Sequence, residues 1–141
     1  MSKPNFERLR VYQVAELFAD VIWEIVSQWE PFTKATIGNQ LVRAADSIGA
    51  NIAEGCGRGS YQDNRRFIKI ARGSPNETQH WLRRAFKRNL LTSQEIQELR
   101  KLVENLGPLL NGYLRSIGTS SVNSQESLIN SQQSKSNIID D

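Results

Sequence analysis

The 141-residue sequence holds one cysteine, one histidine and one methionine. A single cysteine excludes an internal disulfide and any multi-cysteine metal site, so Cys56 reads as a small, buried or half-buried residue. A single histidine, His80, excludes multi-histidine metal centres, and among arginines it reads as another polar surface group, not a base. Long apolar runs are also missing. Charges interrupt every hydrophobic stretch well short of the roughly 20 apolar residues that span a bilayer, so no membrane partner is expected. Met1 to Glu7 shows no basic segment leading into an apolar run, so no secretory signal is visible and the cytoplasm is the expected location. In that setting Asn76-Glu77-Thr78 is an accidental glycosylation sequon. No strand pattern precedes a phosphate-cradling glycine loop, and Gly55-Cys56-Gly57-Arg58-Gly59 reads as a flexible connection between helices. Neither an enzyme nor a cofactor is expected.

What is present is helical periodicity. With 38% hydrophobic residues the chain has enough for one core. Phe6 to Trp29 contains no Gly or Pro, and Val11, Ala15, Phe18, Ile22, Ile25 and Trp29 recur at steps of three and four. Its polar residues gather on one side. The remaining arc, with Tyr12, Val14, Val21, Trp23 and Val26, spans about 200°, wider than one buried stripe, and implies contact on two sides and self-association. Glu30-Pro31 ends this helix. A second runs from about Ile37 to Cys56 on a narrow apolar face, Ile37, Leu41, Ala44, Ala45, Ile48 and Ile52.

Ser60 to Asp63 resembles a capping box with aspartate for glutamate, and opens a third helix to about Asn89. Phe67, Ile70, Ala71, Ser74, Thr78, Trp81, Leu82, Ala85 and Phe86 mark its apolar side. Within it, Gly73-Ser74-Pro75-Asn76-Glu77 allows either a kink or a stop and restart; because the apolar face keeps its phase, a kinked continuous helix is favoured. Thr92 to Glu95 is a full capping box opening a fourth helix through Ile117, with a bend expected near Gly107 ahead of Pro108. Beyond Gly118 the chain is rich in Ser, Asn and Gln and is expected to be disordered. The expected fold is all-α: an antiparallel up-down four-helix bundle over 1–118, with a polar tail over 119–141.

The net charge of +3 is unevenly spread, since the segment from Thr119 onward carries Lys135 against Glu126, Asp140 and Asp141. Most of the positive excess lies on the third helix. Arg65, Lys69, Arg72, Asn76, His80, Arg83 and Lys87 follow one another at steps of three and four within about 80°, flanked by Arg66, Arg84 and Arg88. Only Asp63 and Glu77 oppose the eight cations between Ser60 and Asn89. Such a ladder suits a phosphate backbone, because Lys and Arg displace condensed counterions and Arg grips phosphate bidentately. A merely solvated face is the alternative, although such faces usually mix both signs. A second polar row, Gln40, Arg43, Ser47, Asn51 and Glu54, lies on helix two, with Arg58, Ser60 and Asp63 at its end. It reads as an exposed face, a hydrogen-bonded network in an oligomer interface, or a binding groove.

The stretch Arg43-Ala44-Ala45-Asp46-Ser47-Ile48-Gly49-Ala50-Asn51-Ile52-Ala53-Glu54-Gly55, followed by Gly57-Arg58-Gly59-Ser60 and Ile70-Ala71-Arg72-Gly73-Ser74, resembles the bacterial 23S rRNA intervening-sequence protein family. That family in turn resembles the accessory variability proteins of diversity-generating retroelements. The resemblance spans about Phe6 to Gly118 and implies a bundle assembled into a homopentamer with a basic, nucleic-acid-contacting surface. Motif positions carried over are Arg43, Ser47, Asn51, Glu54, Arg58, Ser60, Arg72 and Ser74, none with a catalytic role. Gly49, Cys56, Asn64 and Pro75 depart from the family pattern. The function expected is a non-catalytic, oligomeric accessory protein that binds RNA or DNA. The alternative is an adaptor docking a protein such as a reverse transcriptase through the same basic surface.

Overall fold

The computed structural model describes residues 5–118. Four long helices dominate it: α1 (Arg10–Val26), α2 (Asn39–Cys56), α3 (Tyr61–Lys87) and α4 (Ser93–Ser116). The segment 119–141, expected to be a disordered tail, lies outside the described residues.

Each helix packs on its neighbour in sequence, and α1 closes the ring on α4. The pairings run in opposite directions. Gly38 lies against Val26 and Gly49 against Tyr12 between α1 and α2; Gly55 lies against Asn64 and Ser47 against Ser74 between α2 and α3. Arg65 meets Leu114 and Arg72 meets Asn111 between α3 and α4. This is an antiparallel up-down bundle. Its core is a column of aliphatic side chains around Phe18, with Ile22, Leu41, Ile48, Ile52, Ile68, Leu82, Leu99, Leu106 and Leu110 all fully buried.

The helix ends follow local chemistry. Thr92 and Glu95 form the reciprocal capping box, Thr92 Oγ1 accepting from Glu95 N at 3.0 Å and Glu95 Oε1 from Thr92 N at 2.9 Å. Ser60 caps α3 through a 3.1 Å bond from Asp63 N, without a return bond from the aspartate. At the other end of α3, Asn89 adopts φ +63°, and Leu90 N donates to Ala85 O at 2.9 Å. That is a Schellman stop with asparagine in the left-handed position.

Three features differ from the sequence reading. The first helix begins at Arg10, not Phe6. Asn5 instead caps a separate 3-10 turn, Phe6–Arg8, its side chain accepting from Glu7 N at 2.9 Å, and Leu9 is extended before α1 starts. Between α1 and α2, the residue before Pro31 is extended as proline demands, and a short turn Pro31–Thr33 leads into a π-helical turn, Lys34–Gly38. Finally, Ile70 is 46% exposed and Phe86 is 37% exposed, whereas Ile68 is fully buried. At 100° per residue Ile68 lies about 60° from buried Ala71, while Ile70 lies about 100° away on the other side.

Pro75 is buried within α3, which continues through it, so the stop-and-restart alternative does not occur. Pro108 likewise sits inside a continuous α4.

Candidate nucleic-acid interface

The outward face of α3 carries the cations. Arg66, Lys69, Arg72, His80, Arg83, Lys87 and Arg88 are exposed, and Arg84 is half-buried. They are not equivalent. Arg65, half-buried, turns toward α4, where its Nη1 donates to Leu114 O at 2.7 Å. A guanidinium there satisfies a carbonyl in the last turn of α4 and opposes the negative end of that helix dipole. Arg65 is thereby engaged in holding two helices together.

Arg66 makes a 3.8 Å ion pair with Asp63 and lies 4.7 Å from the centre of the Phe67 ring. Arg58 covers the same ring at 4.8 Å and pairs with Glu54 at 3.5 Å. These exposed pairs hold the α2–α3 turn only weakly, since pairs of this kind contribute about 0–1 kcal/mol. Arg72 donates to Asn111 Oδ1 at 2.9 Å and remains exposed. Lys69, Arg83, Arg84, Lys87 and Arg88 make no ion pair with any described residue. His80 stacks edge-on against Trp81, ring centroids 4.7 Å apart, and Trp81 in turn donates to Glu77 at 3.3 Å. Glu77, the one carboxylate in the middle of α3, is thus engaged by an indole.

The polar row on α2 divides. Ser47 and Asn51 are half-buried and face α3: Ser47 Oγ donates to Ala44 O at 2.8 Å and lies 2.9 Å from Ser74 Oγ, and Asn51 Nδ2 donates to Ser47 O at 2.8 Å. Thr78, fully buried, donates to Ser74 O at 2.9 Å. The two serines of the motif therefore meet at the α2–α3 contact, where small side chains permit close approach. Gln40, Arg43 and Glu54 remain exposed on α2, and Ser60 is the cap of α3. Sequence periodicity places Ser47 correctly on the polar row but gives no sign that α3 supplies its partner.

Cys56 and Asn64 come together with Tyr113 of α4 at the end of this contact. Cys56 Sγ lies 3.2 Å from Tyr113 Oη, and Asn64 Nδ2 donates to the same oxygen at 3.4 Å. Buried Asn64 Oδ1 has no partner among the described residues. Burial, reinforced by the contact with Cys56, pushes the Tyr113 phenol up to about 12 from its ordinary 10.0, against a smaller lowering by Asn64. A phenol that stays protonated in the folded chain but ionises near 10 when unfolded makes stability fall as pH rises from about 10 to 12, with its full contribution present below 10. In a spectrophotometric titration, the last tyrosine step should vanish in Tyr113→Phe, and the alkaline loss of stability should be shallower in that variant. A titration unchanged by Tyr113→Phe would contradict this assignment.

On α1, Leu17 is 52% exposed and Trp23 60%; Phe32 in the α1–α2 connection is 72% exposed. Trp23, Val26, Pro31, Ala35, Gly38 and Val42 line an open apolar groove of about 580 Å³, with Ser27, Lys34 and Asn39 at its edge. The π-helical turn shapes one wall of it. Among the described residues no helix is long and apolar enough to cross a membrane.

The sequence model of the 23S rRNA-intervening sequence proteins matches residues 7–112. No curated protein matches the chain. A solved structure from Bacteroides thetaiotaomicron VPI-5482, described as a protein with unknown function from the S23 ribosomal protein family, has the same fold. It superposes with a TM-score of 0.66 at 23% identity, covering 75% of this chain and 99% of that one. With three-quarters of its length under one family model and the four-helix architecture shared, this chain belongs to the 23S rRNA-intervening sequence protein family.

Proposed function

We propose that the protein is a non-catalytic, oligomeric accessory protein that binds nucleic acid through the outward face of α3. The observation that carries this reading is the set of cations Lys69, Arg83, Arg84, Lys87 and Arg88, exposed or half-buried on one helix without carboxylate partners among the described residues. Crowding like charges on one face is unfavourable unless an anion neutralises them, and a polyphosphate chain does so while releasing its counterions. The association of the family, by its name, with an rRNA intervening sequence points in the same direction. The exposed Leu17, Trp23 and Phe32 and the groove beside Trp23 supply an apolar surface through which copies associate. A ring of subunits then multiplies weak sites into avidity.

The test is direct binding of labelled RNA and DNA at low salt. Removing four charges together, Lys69→Ala, Arg72→Ala, Arg83→Ala and Lys87→Ala, is expected to weaken binding by at least about tenfold. The control Arg100→Ala with Lys101→Ala removes two exposed charges from α4 and should leave binding nearly unchanged. Equal losses in both variants, or no binding by the parent protein, would contradict the proposal.

A further inference from the structure

We infer that the α3 face is built for double-stranded RNA, docking across its minor groove; this rests on the nucleic-acid reading above. The cations are not evenly spread. Lys69 and Arg72 form one cluster and Arg83 and Lys87 another, with centres about 20 Å apart along the helix at about 1.5 Å rise per residue. Between them the same face presents Gly73, Asn76, Gln79 and His80, all exposed. Nothing lies within 4 Å of where a Cβ on Gly73 would project, so the backbone there is open to close approach.

This order, cations then neutral hydrogen-bonding groups then cations, matches a groove bounded by two phosphate strands. A single strand laid along α3 would find no fixed positive charge at its middle. Between the two clusters it would also find no stacking platform, since the one exposed ring there, His80, is held edge-on by Trp81; the exposed rings of Tyr61 and Phe86 lie toward the ends of the helix. The choice between duplexes follows from shape. α3 is flanked by α2 and α4, which pack along it, so its outward face is a low ridge and not a protruding rod. A B-form major groove roughly 8.5 Å deep requires a helix that projects. The A-form minor groove is wide and shallow and displays 2′-hydroxyls, which Asn76, Gln79 and His80 can meet as donors and acceptors.

The experiment compares a 20-base-pair RNA duplex, the DNA duplex of the same sequence, and the RNA single strand, by fluorescence anisotropy over the same series of salt concentrations for each. The RNA duplex is expected to bind about tenfold tighter than either competitor, the worth of one or two hydrogen bonds. The exposed double variant Asn76→Ala with His80→Ala should erase that preference while leaving the salt dependence unchanged, because neither residue neutralises a phosphate. Equal or tighter binding of the single strand or the DNA duplex would overturn the inference and leave the nucleic-acid reading standing. No binding to any of the three would overturn both.

Discussion

Gly55→Leu is expected to destabilise the bundle by about 3 kcal/mol, the upper part of the usual range for overpacking. Gly55 is buried where α2 meets α3, and a Cβ there would sit 2.6 Å from Asn64 Oδ1, 3.1 Å from Phe67 Cβ and 3.2 Å from the Asn64 carbonyl oxygen. The first contact is with a side-chain tip that can turn. The other two are fixed to the α3 backbone, so a larger residue must drive the helices apart and loosen the Cys56, Asn64 and Tyr113 cluster with them. Gly73 supplies the contrast, since it is equally helical with open space around its Cβ position. Gly73→Ala should stabilise by about 0.5–1 kcal/mol by removing glycine's backbone entropy. Denaturant melts of the two variants check both signs; a Gly55→Leu protein as stable as the parent would show that the α2–α3 contact is not close-packed there.

The second large effect concerns salt. With Arg65 assigned to Leu114 and Arg66 paired with Asp63, the cations left to meet phosphates are Lys69, Arg72, Arg83, Arg84, Lys87 and Arg88. Neutralising about six phosphates gives a slope near −5 in log affinity against log salt, so raising salt from 50 to 200 mM should cost about a thousandfold. Each neutralised phosphate releases its condensed counterion, and the gain from that release shrinks as the bulk concentration rises. A titration series at four salt concentrations measures the slope. A nearly flat line would mean that the cations of α3 do not touch the backbone.

Much of the architecture was legible because helical periodicity and capping chemistry are local. The Thr92 capping box, the polar face of α1, the basic ladder and the continuity of α3 through Pro75 all follow from residues within a few turns of one another. What was not legible depends on partners distant in sequence. Arg65 shares its helical phase with Lys69 and Arg83, and only the arrival of the α4 C-terminus beside it draws it out of the row. Ser47 and Asn51 fall on a polar stripe of α2 that periodicity alone reads as a surface or interface. The partner that Ser47 finds is Ser74, 27 positions away. Cys56 and Asn64 are each unremarkable alone, and Tyr113, from α4, makes them one cluster. The break at Leu9 is a different case: Asn5 offers a cap that was visible in the sequence, but the absence of Gly and Pro from Phe6 onward favoured an unbroken helix.

The most direct test of the α3 interface is lysine footprinting of the full chain, with and without an RNA duplex at low salt. Lys69 and Lys87 lie on the proposed face, whereas Lys34 sits at the apolar groove and Lys101 on α4, and all four are exposed in the free protein. Acylation of Lys69 and Lys87 should be suppressed by the nucleic acid while Lys34 and Lys101 react as before. Protection of Lys34 or Lys101 with Lys69 and Lys87 unchanged would place the contact elsewhere and contradict the account.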